Sequence, residues 1–176
     1  MKKINPKHFR VLAIAPSTRG FGFAILEGQE QIADWGVKTV AGDKNAHSLA
    51  QVEKLIAQYQ PGTLVLEDVS AKGSRRWPRI RSLSEQIMKM AKQRKISVKL
   101  FSRNQVMKTF IADGKGTKYA LAEIIAQRFP EELGSRLPPK RRLWEGEHFW
   151  MGIFDAVALI LVFRKRQAKH NYSMKS

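Results

Sequence analysis

The stretch Arg10-Val11-Leu12-Ala13-Ile14-Ala15-Pro16-Ser17-Thr18-Arg19-Gly20-Phe21-Gly22-Phe23-Ala24-Ile25-Leu26 decides the fold. Its first half is an unbroken apolar run closed by Pro16-Ser17-Thr18, the pattern of a buried strand entering a turn. A second apolar run begins at Gly20, so soon that the connection implies a hairpin with antiparallel strands. Gly28 makes the next turn, and Gln31 to Val40 supplies a third strand with Ile32, Trp35, Val37 and Val40 available for packing. Three consecutive strands make a meander.

Beyond the meander the hydrophobic period changes from two to about 3.6. Leu49, Val52, Leu55, Ile56 and Tyr59 recur at helical spacing between His47 and Gln60, and Pro61-Gly62 stops that helix. The compact run Thr63-Leu64-Val65-Leu66 then ends in Glu67-Asp68, and a helix leading into such a strand suggests an α/β crossover. Leu83 to Lys92 reads as a second amphipathic helix before the strand Ser97 to Phe101. Val106 to Ala112 follows, then the turn Asp113-Gly114-Lys115-Gly116 and a helix from Thr117 to Phe129. Gly134 to Gly146 has no period and reads as a loop, Phe149 to Phe163 as the final helix, and Arg164 onward as a polar tail. The order implies one α/β domain, a single mixed sheet of three antiparallel strands followed by parallel ones, with helices on its faces. Domain limits are placed at 10–164, flanked by a basic extension at 1–9 and a basic tail at 165–176.

The chain has 176 residues, 43% of them hydrophobic, and a net charge of +17. An ordinary globular composition means that the charge decorates a folded domain, which argues against a neutral metabolic enzyme and for an anionic partner. The absence of cysteine excludes thiol catalysis and Cys-ligated zinc. No apolar run is long enough to span a bilayer, no secretory signal pattern opens the chain, and no basic amphipathic helix stands out for a membrane surface. A cytoplasmic, nucleic-acid-binding chain without a small-molecule cofactor is expected.

Acids are scarce, so their placement is informative. Glu67 stands where a buried strand runs out, the end of an α/β sheet at which ligands bind. Asp155 lies inside the most apolar helix, where a carboxylate must be paired, hydrogen-bonded or metal-bound. The plainer alternatives are an ion pair between Glu67 and a nearby Arg, and a structural bridge from Asp155. Asp68 is read as structural, because strand alternation turns it away from Glu67.

Together with Ala15-Pro16-Ser17-Thr18-Arg19-Gly20-Phe21-Gly22, these acids fall into a known order. The chain resembles the RuvC-type Holliday-junction resolvases of the RNase H-like nucleases, from about Arg10 to Phe163. The carrying motifs are the first strand and its Pro-containing turn, Leu64-Val65-Leu66-Glu67, the segments Ser102 to Lys108 and Gly114 to Lys118, and Asp155-Ala156-Val157-Ala158-Leu159. The resemblance implies an RNase H-like five-stranded sheet and two-metal phosphodiester hydrolysis. Two Mg²⁺ or Mn²⁺ ions would be held by carboxylates from separate elements, Glu67 and Asp155 among them.

Two departures stand out. Ala15 occupies the position of the family's first catalytic Asp, so the chain as written is expected to be nearly or wholly inactive. The undamaged motif around it favours an engineered Asp→Ala change over a natural nuclease-dead relative. Gly152 occupies the position where the family often supplies a fourth ligand, and Glu147 or His148 is the candidate substitute. The alternatives are a naturally non-catalytic binding module and an RNase H-like nuclease acting on RNA or hybrids.

The cations cluster. Lys72 to Arg81 holds Lys72, Arg75, Arg76, Arg79 and Arg81 and no acid, with Trp77 placed to stack on an exposed base. Arg19 lies in the first turn. Lys115 and Lys118 sit in a Gly/Lys turn without nucleotide P-loop spacing and are read as DNA-backbone contacts. Lys140, Arg141 and Arg142 with Trp144 repeat the combination near Asp155. Branched DNA such as a four-way junction is the expected partner. A junction with two-fold symmetry implies a homodimer, for which the 82–92 helix with Met88 and Met90 is a candidate interface, its alternative being a core helix.

Overall fold

The structure is a computed structural model and describes residues 10–29, 31–72, 74 and 76–174. Three strands, β1 (Val11–Pro16), β2 (Gly20–Glu27) and β3 (Gln31–Thr39), form the meander. Helix α1 (Lys44–Tyr59) crosses to β4 (Thr63–Glu67), and α2 (Pro78–Gln93) to β5 (Ser97–Phe101). Helices α3 (Arg103–Phe110), α4 (Lys118–Arg128), the single turn α5 (Pro130–Leu133) and α6 (Met151–Ser173) complete the chain. The strands lie in the order β3-β2-β1-β4-β5. The first three are antiparallel, and β4 and β5 continue from β1 in parallel.

Strand alternation divides the interior in two. Leu12 and Ile14 of β1, with Leu64 and Leu66 of β4, face α1 and α2 and join Val52, Leu55, Leu83 and Ile87. Val11, Ala13, Ala15 and Val65 face the other way, toward Leu121 and Ile125 of α4 and the apolar length of α6. Successive side chains on a strand point to opposite faces, so this division places Glu67, two residues after Val65, on the α6 side. Helix starts are set locally. Asp43 and Thr117 accept hydrogen bonds from the first turns of α1 and α4, and Ser102 with Gln105 forms a capping box on α3.

The strands fall close to their expected limits, and several helices do not. Pro78 stands at the first position of α2, whose preset backbone lets it open the helix several residues before Leu83. The last helix starts at Met151 and continues to Ser173, well past Phe163. Phe163 ends only the buried face. Arg164, Lys165, Arg166, Gln167, Ala168 and Lys169 are strong helix formers that carry the helix into solvent where a tail was expected. Ile80, Leu83, Ile87 and Ala91 of α2 are buried against the sheet, and Met88 and Met90 pack half-buried on the same cluster. Among the described residues no helix is long and apolar enough to cross a membrane.

Candidate nuclease-type site and nucleic-acid interface

Strands β1 and β4 run in parallel with Ile14 opposite Leu66. One step further, Ala15 and Glu67 lie side by side on the α6 face, and Asp155 of α6 meets them there. The three line one small cavity of about 30 Å³, together with Arg76, Arg103 and Lys118. Ala15 is 5% exposed, and the Glu67 and Asp155 carboxylates are mostly buried.

Each acid holds a cation. The Arg76 guanidinium pairs with Glu67. Lys118 Nζ donates to Asp155 Oδ2 at 2.9 Å and to both Glu147 oxygens at 3.0 and 3.1 Å. Burial pulls Arg76 toward its neutral form, but its hydrogen bond to Glu67 and the charges of Glu67, Asp155 and Glu147 outweigh it, so the guanidinium titrates above its ordinary value. Lys118 behaves alike. Burial pulls it down, while the Asp155 and Glu147 carboxylates lift it further up, against a small opposing push from Arg76. Both cations therefore share one electrostatic unit with three acids. The plainer readings of Glu67 and Asp155, an ion pair and a structural bridge, are what the geometry contains.

A measurable consequence attaches to Lys118. Its folded-state pKa lies above the ordinary value near 10.5, so its stabilisation is complete below that value and is lost as pH rises through the folded one. Lys118→Met should cost about 1.5–3 kcal/mol at pH 7, the scale of a charge-assisted hydrogen bond left unmade. Urea melts should show that difference shrinking above about pH 11. An equal deficit at every pH would mean that only packing was lost.

Two hard divalent ions need carboxylate oxygens converging from separate elements. Ala15 offers none, and Glu67 and Asp155 already accept from cations. Among the described residues no three His, Asp or Glu side chains are grouped to hold an ion. Gly152 cannot contribute either, because it is pressed against β2. A Cβ on Gly152 would come within 3.1 Å of the Gly22 backbone, and a Cβ on Gly22 within 2.1 Å of Gly152 C and O. Glu147 lies in the loop before α6, exposed and engaged by Lys118, and His148 is also exposed. The residues present therefore do not fit the two-ion centre that the resemblance implies, and Arg76 and Lys118 supply the positive charge instead.

Around this cavity the surface opens into two grooves. One, of about 580 Å³, runs from Glu67 past Lys72 and Arg103 to Lys115. The other, of about 400 Å³, lies between Lys118, Lys140, Arg141 and Glu147. Arg103 walls both grooves and the cavity between them. Sequence reasoning passed over Arg103, whose segment served only to carry the resemblance; the signal available was a cation directly after the end of β5.

The expected nucleic-acid contacts separate into two groups. Arg79 is spent internally, on Asn45 Oδ1 at 3.0 Å and the carbonyls of Ser17 and Thr18 at 3.1 and 3.2 Å. Arg81 likewise donates to the carbonyls of Arg76 and Ser74, at 3.1 and 2.8 Å. With Arg76 and Lys118 bound to acids, these four also brace the site and its loop. Arg19, Lys72, Lys115 and Lys140 are exposed. Arg141 donates to the Glu145 carbonyl at 3.0 Å, and Arg142 lies over the Trp144 ring at 5.6 Å. Trp77 and Trp144 are 70% and 78% exposed, so neither packs under its loop. Arg75 lies outside the described residues. Asp68 accepts from the Ser70 amide and hydroxyl at 3.0 and 2.6 Å, the structural role expected of it.

Comparison with solved structures settles the architecture. Thermus thermophilus RuvC superposes with a TM-score of 0.65 at 14% identity, over 90% of this chain and 96% of its own. This is the RuvC-type, RNase H-like fold. The T. thermophilus RuvC complex with a Holliday junction substrate matches at 0.62 and 13% identity, over 88% of this chain and 92% of that one. The yeast mitochondrial Holliday junction resolvase Ydc2 matches at 0.64 and 14%, over 97% and 83%. No protein-family model and no curated relative matches the sequence. The RuvC-like architecture thus extends over nearly the whole chain, the basic final helix included.

Proposed function

We propose that this chain binds branched DNA, four-way junctions above all, and holds it uncut because its nuclease-type centre is one carboxylate short. The observation that carries the reading is the meeting of two cation-walled grooves at a single acid-lined cavity under Arg103. Two grooves converging on one point suit strands that separate at a branch, and exposed cations suit their phosphates. Trp77 stands at the surface, exposed and available for base stacking, and Trp144 is exposed with Arg142 over its ring. Cations suited to phosphates dominate the described lining of both grooves, so shape and branching are read in preference to a long sequence. RuvC of the same fold engages a Holliday junction substrate. The two-fold symmetry of such a junction calls for a homodimer.

Fluorescence anisotropy at fixed salt tests this. A labelled four-way junction should bind at least ten-fold tighter than duplex DNA or an RNA–DNA hybrid of equal length. EDTA at constant ionic strength should leave that affinity unchanged, since Arg76 and Lys118 already balance the site. No strand should be cut in Mg²⁺ or Mn²⁺. Trp77→Ala should weaken junction binding by about 1–3 kcal/mol, the worth of one base stack. Equal affinity for junction and duplex would refute the branched-DNA reading, and cutting by the chain as it stands would refute the claim that it holds junctions uncut.

A further inference from the structure

Helix α6 does more than carry Asp155. Beyond Phe163 it leaves the core, and from Arg164 to Ser173 it presents Arg164, Lys165, Arg166, Lys169 and His170 without one acid. Solvated helices ordinarily interleave signs at i, i+4, and like charges at that spacing cost a few tenths of a kcal/mol per pair. Lys165 and Lys169 are such a pair. Helix-dipole compensation accounts for cations in the last turn only, and Arg164 to Arg166 lie about two turns earlier.

The surface beside this segment is shaped as well as charged. Two grooves of about 570 Å³ each lie along α6, and Arg166 and His170 wall both of them. One groove adds Lys99 of β5 and Arg164, the other Lys108 of α3, Lys165 and Lys169, and no Asp or Glu lines either. Some of these cations are held in position. The Arg166 guanidinium lies 5.3 Å over the Phe101 ring, and Lys165 Nζ donates to the Thr109 carbonyl at 3.2 Å. Arg164 Nη1 donates to Gln167 Oε1 at 3.4 Å.

We propose that the C-terminal half of α6 with Lys99 and Lys108 forms a second nucleic-acid-binding surface, built to take the phosphodiester backbone of a duplex. Lys169 is 14 residues along the helix from Asp155, about 21 Å at 1.5 Å per residue. The helical end of the surface is therefore remote from the cavity, and Lys108, packed against Gly114 of the site groove, forms its near border. A helix about 10–12 Å across with cations on both flanks matches the roughly 12 Å span between the phosphate rows of a DNA major groove. An anionic membrane fits less well. Tyr172 is the only aromatic in the exposed segment, and no Trp, Phe or Leu is there to enter a bilayer.

The test uses the full chain and plain 30-base-pair duplex, with the triple variant Lys99→Glu, Lys165→Glu, Lys169→Glu set beside the site-groove pair Lys115→Glu, Lys140→Glu. If the surface binds backbone, the triple variant should lose at least ten-fold in duplex affinity. Its slope of log K against log salt should fall by about 2 to 3, since each lost phosphate contact removes about 0.9. The triple Lys→Gln variant, judged folded by circular dichroism, should show the same direction and guards against misfolding. Unchanged affinity and slope in both triple variants overturn the proposal, as does retained duplex binding with a loss confined to phosphatidylserine vesicles. Loss in the site-groove pair alone would leave the proposed function standing and this one refuted. Loss in the triple variants alone would support this proposal, the proposed function being decided separately by junction against duplex affinity.

Discussion

Four-way junctions incubated with the Ala15→Asp variant in Mg²⁺ or Mn²⁺ are expected to be nicked on the order of 10²–10³ times above the uncut background of the parent chain, the scale on which one preorganised electrostatic partner counts at a reacting centre. The new carboxylate would project from β1 on the face that bears Glu67 and meets Asp155, making three acids from two strands and a helix. Burying it is tolerable, because Arg76 and Lys118 already stand in the same cavity. Three acids then match the three cations that line the cavity, Arg76, Arg103 and Lys118, and Glu147 on Lys118 tips the site to a net negative charge that favours divalent ions. Glu67→Gln in the Ala15→Asp background should abolish the gain. Denaturing gels of a junction, a duplex and an RNA–DNA hybrid would decide the matter: no cut in any of them means that the RuvC-like fold here serves binding only.

The largest loss of stability is expected from Gly22→Ala. Its methyl would sit 2.1 Å from the carbonyl carbon and oxygen of Gly152, both backbone atoms that no rotamer change can move. Relief requires α6 to back away from β2, and α6 contributes the buried run from Met151 to Phe163 to one half of the interior. We expect about 3 kcal/mol or more, the upper end of the overpacking range. Gly152→Ala, whose Cβ meets the Gly22 Cα and N at 3.1 Å, should cost about 1 kcal/mol by the same mechanism. The midpoint of urea denaturation reports both. A Gly22→Ala variant as stable as the parent would mean that the helix does not lie on the strand as described.

That contact also shows where sequence reading reached its limit. The unbroken apolar run of β1 and the compactness of β4 were enough to anticipate the sheet, and with the resemblance to anticipate that Ala15, Glu67 and Asp155 share one place. Gly152 could be seen as a missing ligand but not as a packing residue, since its constraint comes from a glycine 130 positions earlier in the chain. The fates of Arg76 and Lys118 were hidden for a related reason. A basic run reads the same whether its side chains face solvent or fold back onto acids, and the choice is made by tertiary proximity. Lys118 was counted as a DNA contact because Glu147 lies 29 residues away in an aperiodic loop. The end of α6 was missed because hydrophobic period marks only the part of a helix that is buried.

Strand β5 carries a different consequence. It is the last strand in the sheet order, paired only with β4 among the described strands, and its far side presents backbone to any other chain with an extended segment. Leu100 on it is 38% exposed. Lys99 is what makes this border a poor template, because pairing with a second copy would bring two ammonium groups together in a drying seam. The lysine that walls the far groove is thus expected also to discourage edge-to-edge pairing. A charge at position 99, of either sign, keeps that protection, whereas an apolar residue there would trade solubility for self-assembly.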